Sequence, residues 1–115
     1  MTGTTSPAVT LSWPRPGVAI ATMTRGERLN TLTTELLDDL EAALAEATRA
    51  DCRVMILTGS GRAFCGGAHV RYFIDPDSPI AGSPSAIRDR YVRRIVEVFE
   101  RVQATPFATI AAING

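Results

Sequence analysis

The chain has no lysine, a single histidine and two cysteines, and none of its apolar runs approaches the length needed to cross a membrane. Each shortage excludes a class of chemistry. Without lysine there is no phosphate-binding loop of the Gly-Lys-Ser/Thr kind. Gly59-x-Gly61 lacks a third glycine at the spacing of a dinucleotide-binding turn. His69 has no serine or cysteine at a spacing that suggests a nucleophilic triad. Cys65 stands near it, but two ligands without a third do not make a zinc site, so no metal is expected. Two cysteines are too few for a disulfide framework, which points to a reducing compartment. The 12 basic residues, all arginine, balance 12 acidic ones, so charge gives no case for nucleic acid. The N-terminus lacks the basic start and long apolar core of a secretory signal. A cytoplasmic protein without membrane association is expected. At 115 residues the chain has room for one domain of modest core.

What is present is organised around Arg53 to Arg71, R-V-M-I-L-T-G-S-G-R-A-F-C-G-G-A-H-V-R. Val54 to Leu57 is short and wholly apolar, the composition of a strand buried on both faces. Thr58 to Gly61 then turns. Gly66-Gly67-Ala68 follows, where backbone N–H groups can approach a ligand unobstructed. Two readings of the glycines stand side by side: a ligand-binding loop, or merely a tight turn out of the strand.

Upstream, Val9, Leu11 and Trp13 alternate with smaller or polar residues, and Pro14 to Gly17 turns the chain into a returning strand, Val18 to Met23. Trp13 is expected to pack into the core from an edge strand. Thr33 is placed to cap a helix in which Leu36, Leu37, Leu40, Leu44 and Ala47 recur at helical steps to about Arg49. Its other face carries Glu35, Asp38, Asp39, Glu41 and Glu46, read as solvated. A strand, a helix and a strand in this order suggest a right-handed crossover between parallel strands. Residues 72–85, rich in proline and small residues, read as a loop. Ser85 is expected to cap a second helix whose apolar positions are Ile87, Tyr91, Ile95, Val98, Phe99 and Val102, with Tyr91 read as core rather than as a substrate contact. Pro106 stops it, and Phe107 to Ile113 is expected to be a buried strand ending in the turn signal Asn114-Gly115.

Leu57-Thr58-Gly59 followed by Gly61-Arg62-Ala63-Phe64-Cys65-Gly66-Gly67-Ala68 resembles the first signature of the crotonase (enoyl-CoA hydratase/isomerase) family. Arg28-Leu29-Asn30-Thr31-Leu32 resembles the family's upstream segment beside the coenzyme A site. Thr105 to Phe107 and Ala111 to Gly115 resemble the strand that leads into its second signature.

The resemblance implies an α/β fold: the N-terminal portion of a ββα-type spiral, as one truncated domain over 1–115 with a variable loop at 72–85; residues 1–7, small, polar and proline-ended, read as a flexible tail. It also implies an acyl-CoA thioester as substrate and stabilisation of its enolate oxyanion by backbone N–H groups. The Ala68 N–H would be the first donor. Arg28, Leu29, Gly66, Gly67, Ala68, His69 and Val70 would form the coenzyme site, with Arg28 near the phosphates. No permanently bound cofactor is implied, coenzyme A entering as part of the substrate. Where the family has an acidic residue after the Gly-Ala pair, this chain has His69. With one donor and no carboxylate in a recognisable catalytic motif, the chain alone is expected to be nearly inactive. The alternative is a non-catalytic acyl-CoA-binding or assembly module that keeps half of the fold. Strands with too few helices to cover them lead to the expectation of a homo-oligomer or of a requirement for the remainder of the fold.

Overall fold

The computed structural model describes residues 6–115. Residues 1–5 of the expected tail lie outside that range; Ser6 and Pro7 lie within it, and their carbonyls accept hydrogen bonds from the Arg25 guanidinium. Four strands form a mixed sheet in the order β1-β2-β3-β4. They are β1 (Val9–Arg15), β2 (Val18–Met23), β3 (Val54–Gly59) and β4 (Ala108–Ala111). The hairpin β1–β2 is antiparallel, and β2, β3 and β4 run parallel.

The crossover between β2 and β3 is α1 (Thr34–Arg49), begun where the sequence places it: the Thr33 hydroxyl accepts from the Leu36 N–H at 3.1 Å. Leu36, Leu37, Leu40, Ala43, Leu44 and Ala47 are buried in one core with Ala19, Ala21, Met23 and Met55. Strand periodicity puts those four sheet residues on the same face, since Ala19 pairs with Met55 and Ala21 with Leu57.

Three burial expectations fail, in β3 because the helices cover one face of the sheet, and in β4 and at Trp13 for local reasons. In β3 only Met55 is buried; Val54, Ile56 and Leu57 are half-buried. β4 is exposed along its whole length, being an edge strand, and Phe107 just before it is buried instead. Trp13 is 37% exposed. It stands where the β1 register shifts between Ser12 and Arg15, beside Pro14, which has no N–H to give the ladder.

Between β3 and β4 lie two four-residue helices, α2 (Arg71–Ile74) and α3 (Pro84–Ile87). The expected loop is thus bounded by helical turns at both ends. Ser83, not Ser85, caps α3, accepting from the Ala86 N–H at 3.2 Å, because Pro84 suits the first helical position, where no N–H is required. A π-helical turn (Arg88–Val92) leads directly into α4 (Arg93–Gln103). Tyr91 and Val98 are buried, but Phe99 is 49% exposed. α4 is tied to α1 through Arg94, which reaches Asp38 at 2.7 Å and Glu41 at 3.0 Å, and through Arg101, 2.6 Å from Glu41. The hydrogen bond from Arg94 holds the Glu41 carboxyl below its ordinary pKa.

Candidate functional site

The loop after β3 is gripped by two asparagines. Asn30 is fully buried; its Nδ2 donates to the carbonyls of Ser60 at 3.2 Å and Ala63 at 3.0 Å, and its Oδ1 accepts from the Arg25 N–H at 2.8 Å. From the other side Asn114 accepts the Gly59 N–H at 3.2 Å and donates to the Gly61 carbonyl at 3.0 Å. Gly59 is required by space: a Cβ there would sit 2.7 Å from the Phe64 carbonyl oxygen and 2.8 Å from Asn30 Nδ2.

The loop's second half docks on 29–32. The Gly66 N–H donates to the Leu29 carbonyl, and the Leu32 N–H donates to the Gly67 carbonyl, each at 2.8 Å. Leu29 and Asn30 hold the left-handed φ values of 61° and 50°, a conformation uncommon outside glycine that aligns these groups. In a trans peptide the C=O and N–H point in opposite directions. Pinning the Gly67 carbonyl on Leu32 therefore aims the next N–H, that of Ala68, away from the 29–32 segment. Ala68 is exposed, and among the described residues its N–H has no acceptor. Gly67 has φ +98° with nothing within 4 Å of a built Cβ, so glycine serves here for conformation rather than room.

His69 is half-buried. Its Nδ1 lies 2.8 Å from the Thr31 hydroxyl and its ring packs edge-on against Tyr72, centroids 4.7 Å apart. Burial first, then the charges of Arg28 and Arg71, lower its pKa from the ordinary value. The three residues Arg28, His69 and Arg71 line a surface cavity of about 370 Å³. Two guanidinium groups beside a histidine that resists protonation give it a positive, anion-accepting character. Tyr91, fully buried beneath the loop, accepts the His69 N–H at 2.9 Å and donates to the Leu32 carbonyl. Burial raises its pKa, so the hydroxyl stays protonated and able to donate.

The structure thus gathers Arg28, Leu29, Gly66, Gly67, Ala68 and His69 around one loop. Val70 follows, 66% exposed, at the start of α2. Cys65 is a free thiol. Arg71 joins Arg28 at the cavity without having been singled out in the sequence. Asn30 and Asn114 are legible only as motif or turn residues; their role in holding the loop depends on partners about 30 and 55 residues away. Tyr91 is core, as expected, but its hydroxyl belongs to the site. Among the described residues no three histidine, cysteine, aspartate or glutamate side chains cluster to hold a metal, and no helix is long and apolar enough to cross a membrane.

Comparison with known proteins shows the family and the fold. The sequence profile of the family described as Enoyl-CoA hydratase/isomerase matches residues 15–115. A probable enoyl-CoA hydratase of Mycobacterium leprae is 36% identical over 93% of the chain, which spans 37% of that protein. The 1,2-epoxyphenylacetyl-CoA isomerase of Escherichia coli is 33% identical over 91% of the chain, and 39% of its own length is covered. The crystal structure of an enoyl-CoA hydratase from Bacillus anthracis superposes with a TM-score of 0.80 at 30% identity, over 94% of this chain and 40% of that one. The chain therefore corresponds to well under half the length of the proteins it resembles.

Proposed function

The chain belongs to the enoyl-CoA hydratase/isomerase (crotonase) family, and from that premise we propose that its glycine loop binds an acyl-CoA thioester and stabilises the enolate oxyanion formed from it. The observation that carries the reading is the Ala68 N–H: exposed, without an acceptor, and aimed outward by the Leu32–Gly67 hydrogen bond. A donor held in place before charge develops costs no reorganisation when it does; loss of one such donor typically slows reaction by about 10²–10³. The cavity of Arg28, His69 and Arg71 beside it supplies cationic groups for the coenzyme's phosphates. Hydratases and an isomerase both stand among the relatives. One oxyanion donor would serve hydration or isomerisation alike wherever the thioester takes on enolate character.

Catalysis also needs a proton donor and acceptor, worth roughly 10²–10⁴ in rate. Glu97, on α4, is engaged with Arg94 at 3.7 Å, and no carboxylate lines the cavity beside the loop. This chain alone is therefore expected to bind substrate but to leave crotonyl-CoA essentially unhydrated. Calorimetry with acetyl-CoA against free acetate tests the binding. The wild-type chain should take up acetyl-CoA and not acetate, and an Arg28→Ala, Ala68→Pro double variant should lose that binding, proline having no N–H. Equal heats for wild type and variant would refute the reading.

A further inference from the structure

We infer that Tyr91 is a positioning residue for the Ala68 N–H, its hydroxyl serving as an inserted rung between the glycine loop and the 29–32 segment. The inference rests on the oxyanion reading above: the Leu32–Gly67 bond aims the donor's own peptide, and Tyr91 adds a second hold on Ala68 through the peptide that follows it.

Leu32 and Ala68 form an isolated parallel bridge. Its first rung is direct, Leu32 N–H to Gly67 carbonyl at 2.8 Å. The second runs through a side chain: the His69 N–H donates to the Tyr91 hydroxyl at 2.9 Å, and that hydroxyl donates to the Leu32 carbonyl. The two peptides flanking Ala68 are therefore held independently. The 67–68 peptide is pinned by its carbonyl and the 68–69 peptide by its N–H, which leaves neither φ nor ψ of Ala68 free to drift. Without the hydroxyl only the first pin remains, and the 68–69 peptide can swing about the Ala68 backbone.

The tyrosine is itself immobilised. It is fully buried, and its ring meets Tyr72 and Phe73 edge-on at centroid distances of 5.3 and 5.9 Å. It sits in the π-helical turn Arg88–Val92. Such turns are rare and concentrate at working sites. The hydroxyl thus stands between the His69 N–H and the Leu32 carbonyl on a ring that packing holds in place.

The test compares Tyr91→Phe with wild type in the full chain, by NMR titration with acetyl-CoA and with S-ethyl-CoA, a thioether that lacks the carbonyl oxygen. Wild type should prefer the thioester. Tyr91→Phe should bind the thioether as wild type does while its thioester preference falls about three- to tenfold, the worth of one hydrogen bond. A merely structural role would weaken both ligands together, and that outcome overturns the inference. So does an unchanged preference in a variant whose His69 amide resonance has moved; the oxyanion reading then survives. Absence of any preference in wild type overturns that reading and this inference with it. If Tyr91→Phe fails to fold, hydrogen exchange in the ligand-free wild type decides. Protection of the His69 amide at least about fivefold greater than that of Ala68 supports the rung, and equal exchange refutes it.

Discussion

The Thr31 hydroxyl lies 2.8 Å from Nδ1 of His69, so the chain's one histidine links the segment before α1 to the loop after β3. Burial and the neighbouring Arg28 and Arg71 lower its pKa below the ordinary 6.5. As pH falls, the unfolded chain therefore takes up this proton before the folded one does. The contribution of His69 to stability is fully present above about pH 6.5 and is lost as pH falls through the lower folded value. Melting temperature should decline as pH falls below about 6.5, and His69→Gln should flatten that decline. A slope unaffected by the substitution would show that His69 is not the group responsible.

Asn30→Ala removes two donors and one acceptor from a fully buried position and leaves alanine at φ 50°. We expect a loss of about 2–4 kcal/mol in urea unfolding, from the unsatisfied backbone groups and the left-handed backbone together. Asn30→Gly should recover only the backbone part. A loss under about 0.5 kcal/mol, the range of ordinary surface substitutions, would contradict the bracing role.

Much of this was legible because it is local. The leucine spacing of α1, the Thr33 cap and the crossover all follow from neighbours within a few residues. Around the loop, the glycines and Ala68 stand in one short stretch. What the sequence hid depends on distant pairing. Val54 to Leu57 has the composition of a doubly buried strand, yet burial depends on what covers each face, and only one face is covered here. Trp13 has core chemistry but falls in a register shift set by Pro14. Asn30 looks like any polar residue between a loop and a helix, and only the fold brings Ser60 and Ala63 to its amide. The apolar spacing that placed Tyr91 in the core gave no hint of where its hydroxyl would end.

The other face of the sheet bears on association. Ile20, Ile56 and Ile110 stand in one pairing row. Ile110 is 52% exposed, and Ile113 beyond it is 71% exposed. Among the described residues β4 pairs only with β3, so it also presents an open edge. We expect the purified chain to self-associate in a concentration-dependent way in sedimentation, and Ile110→Arg to shift it toward monomer. A single monomeric species at every concentration, with cooperative unfolding, would contradict this expectation.

A contact between the Ala68 N–H and the thioester oxygen is read most directly from the Ala68 amide resonance itself. In spectra of the ¹⁵N-labelled chain, saturation with acetyl-CoA should move the Ala68 amide proton downfield and slow its exchange. Coenzyme A without an acyl group should instead perturb residues around Arg28, His69 and Arg71 and leave Ala68 where it was. An Ala68 amide that responds identically to both ligands, or to neither while binding is saturated, would contradict the account.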